Sequence, residues 1–226
     1  MDVDKIMNTL DYIVNKYKLD LSTKSPIEIP DIGRNGLAEL FRELEFKVGA
    51  EIGVLEGEYS KVLCKSNPKA KLYSIDPWAP RPDYTAFVKT ETFEKAFKKA
   101  KTRLSRYNCE MIKRPSLEAV KDFADESLDF VYIDGDHSFQ ACTNDIVEWS
   151  KKVKQGGIIS GHDYIKHRAR SYIHVYEAVN GYTQAYNIRP WFILAAKSII
   201  NGVITAEERT FLWVKTPFPT PRRYDK

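Results

Sequence analysis

This sequence predicts a doubly wound α/β fold: a mostly parallel sheet of seven strands with an antiparallel strand at its edge, preceded by N-terminal helices. Three observations carry that expectation. Short apolar runs bounded by turn residues alternate with stretches of helical period, the order that builds βαβ units. The chain has 226 residues, 43% of them hydrophobic and 29% charged, which suits one globular domain and not a disordered chain. Two final strand-like runs follow one another with no long helix between them, so they should pair antiparallel.

Residues 3–18 place Val3, Ile6, Met7, Leu10, Ile13, Val14 and Tyr17 at a period near 3.6 and read as an amphipathic helix. The turn-rich stretch SPIEIPDIG follows. A second helix over 35–45 puts Leu37, Leu40, Phe41 and Leu44 on one face. Residues 1–34 are expected to form a helical extension and 35–226 the main domain. Strands are predicted at 47–54, 71–76, 109–114, 128–134, 156–163, 191–196 and 210–215. Helices fall between them at 58–66, 85–106, 117–123, 138–152 and 170–180.

No apolar run approaches the roughly 20 residues of a membrane-spanning helix, and the N-terminus lacks the apolar stretch of a signal peptide. Cys64, Cys109 and Cys142 are odd in number and widely spaced, which suits a reducing compartment and hence a cytoplasmic setting. Net charge is +4. Its lysines and arginines gather in 95–106 and in the C-terminal PRRYDK. In the first cluster Phe93, Phe97, Ala100 and Leu104 share a face, so the lysines read as a solvated surface rather than a nucleic-acid site.

In such sheets ligands bind at the carboxyl ends of the strands. After the first of these strands comes Glu51-Ile-Gly53-Val-Leu-Glu-Gly57-Glu-Tyr59-Ser60, a glycine turn that lets a ligand approach backbone. After the second comes Asp76, about 20 residues beyond Gly57, placed to accept ribose hydroxyls. A carboxylate at 51 is unfavourable for the pyrophosphate of a dinucleotide such as NAD. It suits a ligand with an ammonium and a sulfonium. Asp134, with Gly135, Asp136 and His137, follows the fourth strand; His162 and Asp163 follow the fifth. Neighbouring parallel strands would bring Asp134, His162 and Asp163 into one crevice, as a divalent-ion site or as turns with local side-chain bonds.

Over roughly residues 35–215, the E-x-G-x-x-x-G loop, Asp76, IDGDH and GGIISGHDY resemble the Rossmann-like class I S-adenosylmethionine (SAM)-dependent methyltransferases. The resemblance implies that Glu51, Gly53 and Gly57 bind the methionine part and Asp76 the ribose. Ser60, Trp78, Ser116 and Leu117 are expected to line the methionyl or adenine pocket, with Asp134 beside them. The segment from IDGDH to GHDY is similar to metal-dependent O-methyltransferases of sugars and macrolides. That implies Mg²⁺ or Mn²⁺ held by Asp134, His162 and Asp163. His162 stands where many of those enzymes have an acid, and a nitrogen donor shifts the preference toward Mn²⁺ or another transition ion. It also implies His137 as the base that takes the proton of an acceptor hydroxyl, with Asp134 the acid it works beside. The expected partner is a small-molecule or glycan acceptor, with no membrane; a homo-oligomer is left open. RNA or protein methylation, a cofactor-binding module without turnover, and an NAD-dependent oxidoreductase are the alternatives. IDGDH, where many base amino-methyltransferases carry Asn/Asp-Pro-Pro-Tyr/Phe, weighs against nucleic acid. Residues 77–84 read as a lid or a stiff surface loop.

Overall fold

A computed structural model describes residues 3–80, 90–166, 173–200 and 203–217. Its elements run α1 (Val3–Tyr17), β1 (Ile27–Pro30), α2 (Arg34–Glu43), β2 (Val48–Ile52), α3 (Glu58–Ser66), β3 (Lys71–Ile75), α4 (Thr90–Leu104), β4 (Cys109–Ile112) and α5 (Ser116–Ala119). After a 3₁₀ turn at Val120–Asp122 come β5 (Leu128–Ile133), α6 (Phe139–Lys152), β6 (Val153–Gly161), α7 (Val175–Ala185), β7 (Phe192–Ile200) and β8 (Val203–Val214). The strands form one sheet in the order β1-β7-β8-β6-β5-β2-β3-β4. β8 runs antiparallel to both its neighbours, and every other pairing is parallel.

Strand β5 shows why the sheet is covered on both faces. All six of its residues are buried, as the period-two geometry of a strand between two layers requires. Val131 and Ile133 join a core with Trp149, Val179 and Trp213, beneath α6 and α7. Phe130 and Tyr132 point the other way, into a core with Ile13, Leu37, Phe41 and Leu63, beneath α1, α2 and α3. Phe130 stacks on Phe41 with ring centroids 4.0 Å apart. A Cβ on Gly49 of β2 would meet the Phe130 ring at 2.1 Å, so that position has room for no side chain.

Several expectations need correction. The sheet has eight strands, because SPIEIPDIG contains β1. Its Ile27 and Ile29 are buried while Glu28 and Pro30 are exposed, but four residues among turn formers give too short a period-two signal to stand out. The partner that fixes this strand, β7, comes from the other end of the chain. The antiparallel strand is also not at an edge. β7 and β8 do form a hairpin, but β8 inserts between β6 and β7, leaving β1 and β4 as the edges. Of the helix expected at 170–180, residues 170–172 lie outside the described residues and α7 runs from Val175 to Ala185; β6 begins at Val153 directly from α6. Residues 85–89 of the expected basic helix, 81–84 of the expected lid and the C-terminal PRRYDK lie outside the described residues. Among the described residues no helix is long and apolar enough to cross a membrane.

On α4, Ala96, Ala100 and Leu104 are buried while Lys95, Lys98, Lys99 and Lys101 are exposed, the solvated face expected of them. Lys99 pairs with Glu56 at 2.7 Å, and Arg103 pairs with Glu58, so part of this charge ties α4 to the turn after β2.

Candidate functional site

The strand order reverses direction about β2, with β3 on one side and β5 on the other, and the crevice at their carboxyl ends is where such sheets bind ligands. The ladder continues past the strand ends here. Gly53 N–H donates to Ile75 O at 2.9 Å, Asp134 N–H to Ile52 O at 2.7 Å, and His162 N–H to Ile133 O at 3.0 Å. These bonds bring the residues after four neighbouring strands to one level. The residues after β2, β3 and β5 line a cavity of about 860 Å³ there, bounded by Glu51, Gly53, Asp76, Ser116, Leu117, Asp134, His137 and others.

The turn after β2 is built on glycine for a physical reason. Gly53 has φ of +87°, and a Cβ there would lie 2.1 Å from the Asp134 carbonyl oxygen. Gly57, φ +74°, caps α3 in the left-handed region. Asp76 Oδ2 accepts from the N–H groups of Val54 and Leu55, both at 2.9 Å, and Oδ1 from Trp78 N–H at 2.7 Å. The acid thus shapes the turn as well as facing the cavity. Glu51 is 2% exposed. Burial drives its carboxyl well above the ordinary range and Asp134 adds to this, while the hydrogen bond from Ser60 opposes it. Ser60 Oγ also lies 2.9 Å from Ser74 Oγ.

Ser60 and Trp78, expected as pocket walls, do not line the cavity. Ser60 is fully buried beneath it, holding Glu51. Trp78 is 2% exposed; its Nε1 donates to Leu55 O at 2.7 Å and its ring packs on Phe97. Each works one layer down, Ser60 on the acid and Trp78 on the turn.

At the other end of the cavity, Asp134, His162 and Asp163 offer ligand atoms that all lie within 4.8 Å of one another. His162 and Asp163 do not line the cavity; they adjoin it through His137, whose Nε2 lies 3.0 Å from Asp163 Oδ2 and 3.5 Å from Asp134 Oδ1. Burial alone would lower the His137 pKa, but the carboxylates of Asp134 and Asp163 raise it overall. His162 behaves likewise: burial lowers it, Asp163 and Asp134 raise it, and the balance is upward. Its Nδ1 sits 3.1 Å from Asp163 Oδ1, while its buried Nε2 has no hydrogen-bond partner. The backbone of His137 is pinned by His174 N–H, which donates to its carbonyl at 2.7 Å.

Ser116 and Leu117 line the third side. Ser116 Oγ donates to Asp145 Oδ1 at 2.5 Å and accepts from Trp149 Nε1 at 2.8 Å. Asp145, 5% exposed, and Arg34 both line the cavity and were not among the residues the sequence singled out. Asp145 had a readable signal, since it lies between Cys142 and Trp149 on the buried stripe of α6. Arg34, a lone cation after a glycine, had none. Cys142 is buried, its thiol pushed up to about 12 by that burial and the nearby Asp145. Neither Cys142 nor Cys109 lines the cavity, in keeping with a packing role.

The chain matches the methyltransferase domain family over residues 50–164. No curated protein matches its sequence. Solved structures match along nearly its whole length. Cofactor-bound Rv0187 from MTB is 17% identical with a TM-score of 0.58, covering 93% of this chain and 89% of that one. An O-methyltransferase from Bacillus cereus, in complex with SAH, is 16% identical at 0.58, covering 94% and 91%. The O-methyltransferase TomG from Streptomyces achromogenes, involved in tomaymycin synthesis and in complex with SAM, is 14% identical at 0.56, covering 94% and 90%. At such identities the likeness is one of fold. The family match spans half the chain, from β2 to the residues just after β6, and takes in Glu51, Asp76, Asp134, His137, His162 and Asp163: this chain belongs to the methyltransferase domain family.

Proposed function

We propose that this protein transfers a methyl group from SAM to a hydroxyl of a small molecule or sugar, assisted by a divalent cation. One observation carries the reading: a single cavity runs from Glu51, Gly53 and Asp76 to Asp134 and His137, beside the Asp134, His162 and Asp163 cluster. The SAM- and SAH-bound neighbours of this fold support the donor.

The residues present suit both groups. SAM, when bound, supplies an electrophilic methyl on a sulfonium and carries a second cation on its amino-acid end. Glu51 and Asp134 are the acids that would face those cations, Asp76 the ribose, and Ser116 and Leu117 the base. For a metal, the donor set is two carboxylates and one imidazole. His162 Nε2, buried and without a hydrogen-bond partner in the protein, is a donor atom open to such a cation. A divalent cation held there would orient an acceptor hydroxyl and lower its pKa. His137, pinned through its carbonyl and lining the same cavity, is the group that would take the acceptor's proton. Val54, Leu55 and Leu117 give the same cavity an apolar share of its wall. The paired and solvated cations of α4 favour a small acceptor over nucleic acid, and the unbridged cysteines support a cytoplasmic setting.

The test is titration calorimetry with SAM, S-adenosylhomocysteine (SAH) and NAD, each with and without Mn²⁺ or Mg²⁺. Turnover on a panel of hydroxylated acceptors by wild type and His137→Ala follows. Micromolar binding of the adenosyl ligands, silence with NAD, and at least a 100-fold loss of turnover in His137→Ala are expected. Absence of adenosyl-ligand binding would overturn the donor. Full turnover in His137→Ala would remove the base.

A further inference from the structure

The charges around the cavity are unevenly divided. Its lining carries several carboxylates, among them Glu51, Glu58, Asp134 and Asp136, yet among the described residues Arg34 is the one permanent cation there. Arg34 opens α2 and is half-buried. Tyr59 holds it at two points. The Tyr59 hydroxyl donates to the Arg34 carbonyl at 2.7 Å, and the guanidinium lies over the Tyr59 ring, 5.3 Å from its centroid. Tyr59 itself is 4% exposed and packs on Tyr132 at 4.4 Å, so the platform is fixed. Tyr59 lies in the first turn of α3, directly after the glycine turn, and Arg34 and Tyr59 line the cavity together with Glu51, Gly53 and Val54, the end proposed for the methyl donor.

An amino-acid group bears an ammonium and a carboxylate on one carbon. A site that meets the ammonium with Glu51 or Asp134 must therefore accept a carboxylate close by, among acids that repel it. A guanidinium is the side chain whose planar fork pairs with a carboxylate through two hydrogen bonds, and an aromatic face beneath it fixes its plane. We propose that Arg34, seated on Tyr59, binds the carboxylate of the methyl donor's amino-acid end and so selects an intact α-amino acid over ligands lacking that group. The proposal rests on the SAM reading given above. An anionic acceptor is the competing occupant of Arg34.

The deciding experiment titrates SAH, and decarboxylated SAH that lacks only the carboxylate, into wild type, Arg34→Ala and Arg34→Lys. Wild type should prefer SAH. Arg34→Ala should weaken SAH by roughly 10- to 100-fold and leave the decarboxylated ligand within about twofold, which also verifies that the variant is folded. Arg34→Lys should recover only part of the loss, because an ammonium lacks the fork. Equal losses on both ligands, or no loss on SAH, would overturn the assignment. If wild type binds neither ligand, the methyl-donor reading itself falls, and this assignment with it.

Discussion

Glu51 is a carboxyl group almost wholly removed from water, held by Ser60 and facing a cavity proposed to receive a cation. Burial raises its pKa, with Asp134 adding to the rise. A cationic ligand favours the ionised form, so affinity should strengthen as pH rises through that elevated pKa, and the bound state should release a proton. Glu51→Gln removes the charge and keeps the shape. Calorimetry of SAH binding across pH should show wild type tighter by about tenfold or more at the alkaline end, with the two proteins converging as pH falls. Parallel curves, or none separated at any pH, would remove Glu51 from recognition of the amino-acid end. That Glu51, Gly53, Asp76 and Asp134 line one cavity was legible in the sequence because they lie at or directly after strand ends, where sheets of this kind bind ligands. Trp78 and Ser60 were misplaced because sequence gives the strand end but not which layer a side chain enters. The positive φ of Trp78, +43°, turns it under the loop, and nothing in its neighbours announces that.

Between elements, Asp129 is the tie that sets the lower ends of three strands. Its Oδ2 accepts from Lys47 N–H at 2.7 Å and Val48 N–H at 3.0 Å, and its Oδ1 from Lys154 Nζ at 2.9 Å. It therefore joins β5 to the starts of β2 and β6. Burial pushes its carboxyl up, but those hydrogen bonds outweigh burial and hold it below the ordinary 3.8. A pKa lower in the folded than in the unfolded chain contributes stability that is full above the unfolded value and lost as pH falls through the folded one. Asp129→Asn should therefore cost about 1–3 kcal/mol at pH 7. Urea unfolding from pH 7 down past 3.8 should show that gap narrowing. A gap constant with pH would mean the charge contributes nothing. Elements such as β5 and α6 were readable from their own residues, β5 as a short apolar run and α6 by its helical period. β1 and the position of β8 were not, because their identity comes from partners distant in the chain rather than from their own residues.

On the scale of the whole molecule, β1 and β7 join the rest of the sheet through β8. A chain ending at Ile200 keeps every residue proposed here for catalysis but loses that bridge. It should lose its cooperative unfolding transition and expose the outer edge of β6 to aggregation. Circular dichroism and light scattering during a urea titration would measure both, and an unchanged midpoint would show that β8 is dispensable. The same arrangement has a consequence in time. β1 is the first of the eight strands to be made, and β7 and β8 are the last, more than 160 residues later. At translation speeds of about 5–20 residues per second, the first strand waits roughly ten to thirty seconds for its partner. During that interval Ile27 and Ile29 have no sheet to enter, so the newborn chain, not the finished enzyme, is the state most exposed to chaperones and proteases.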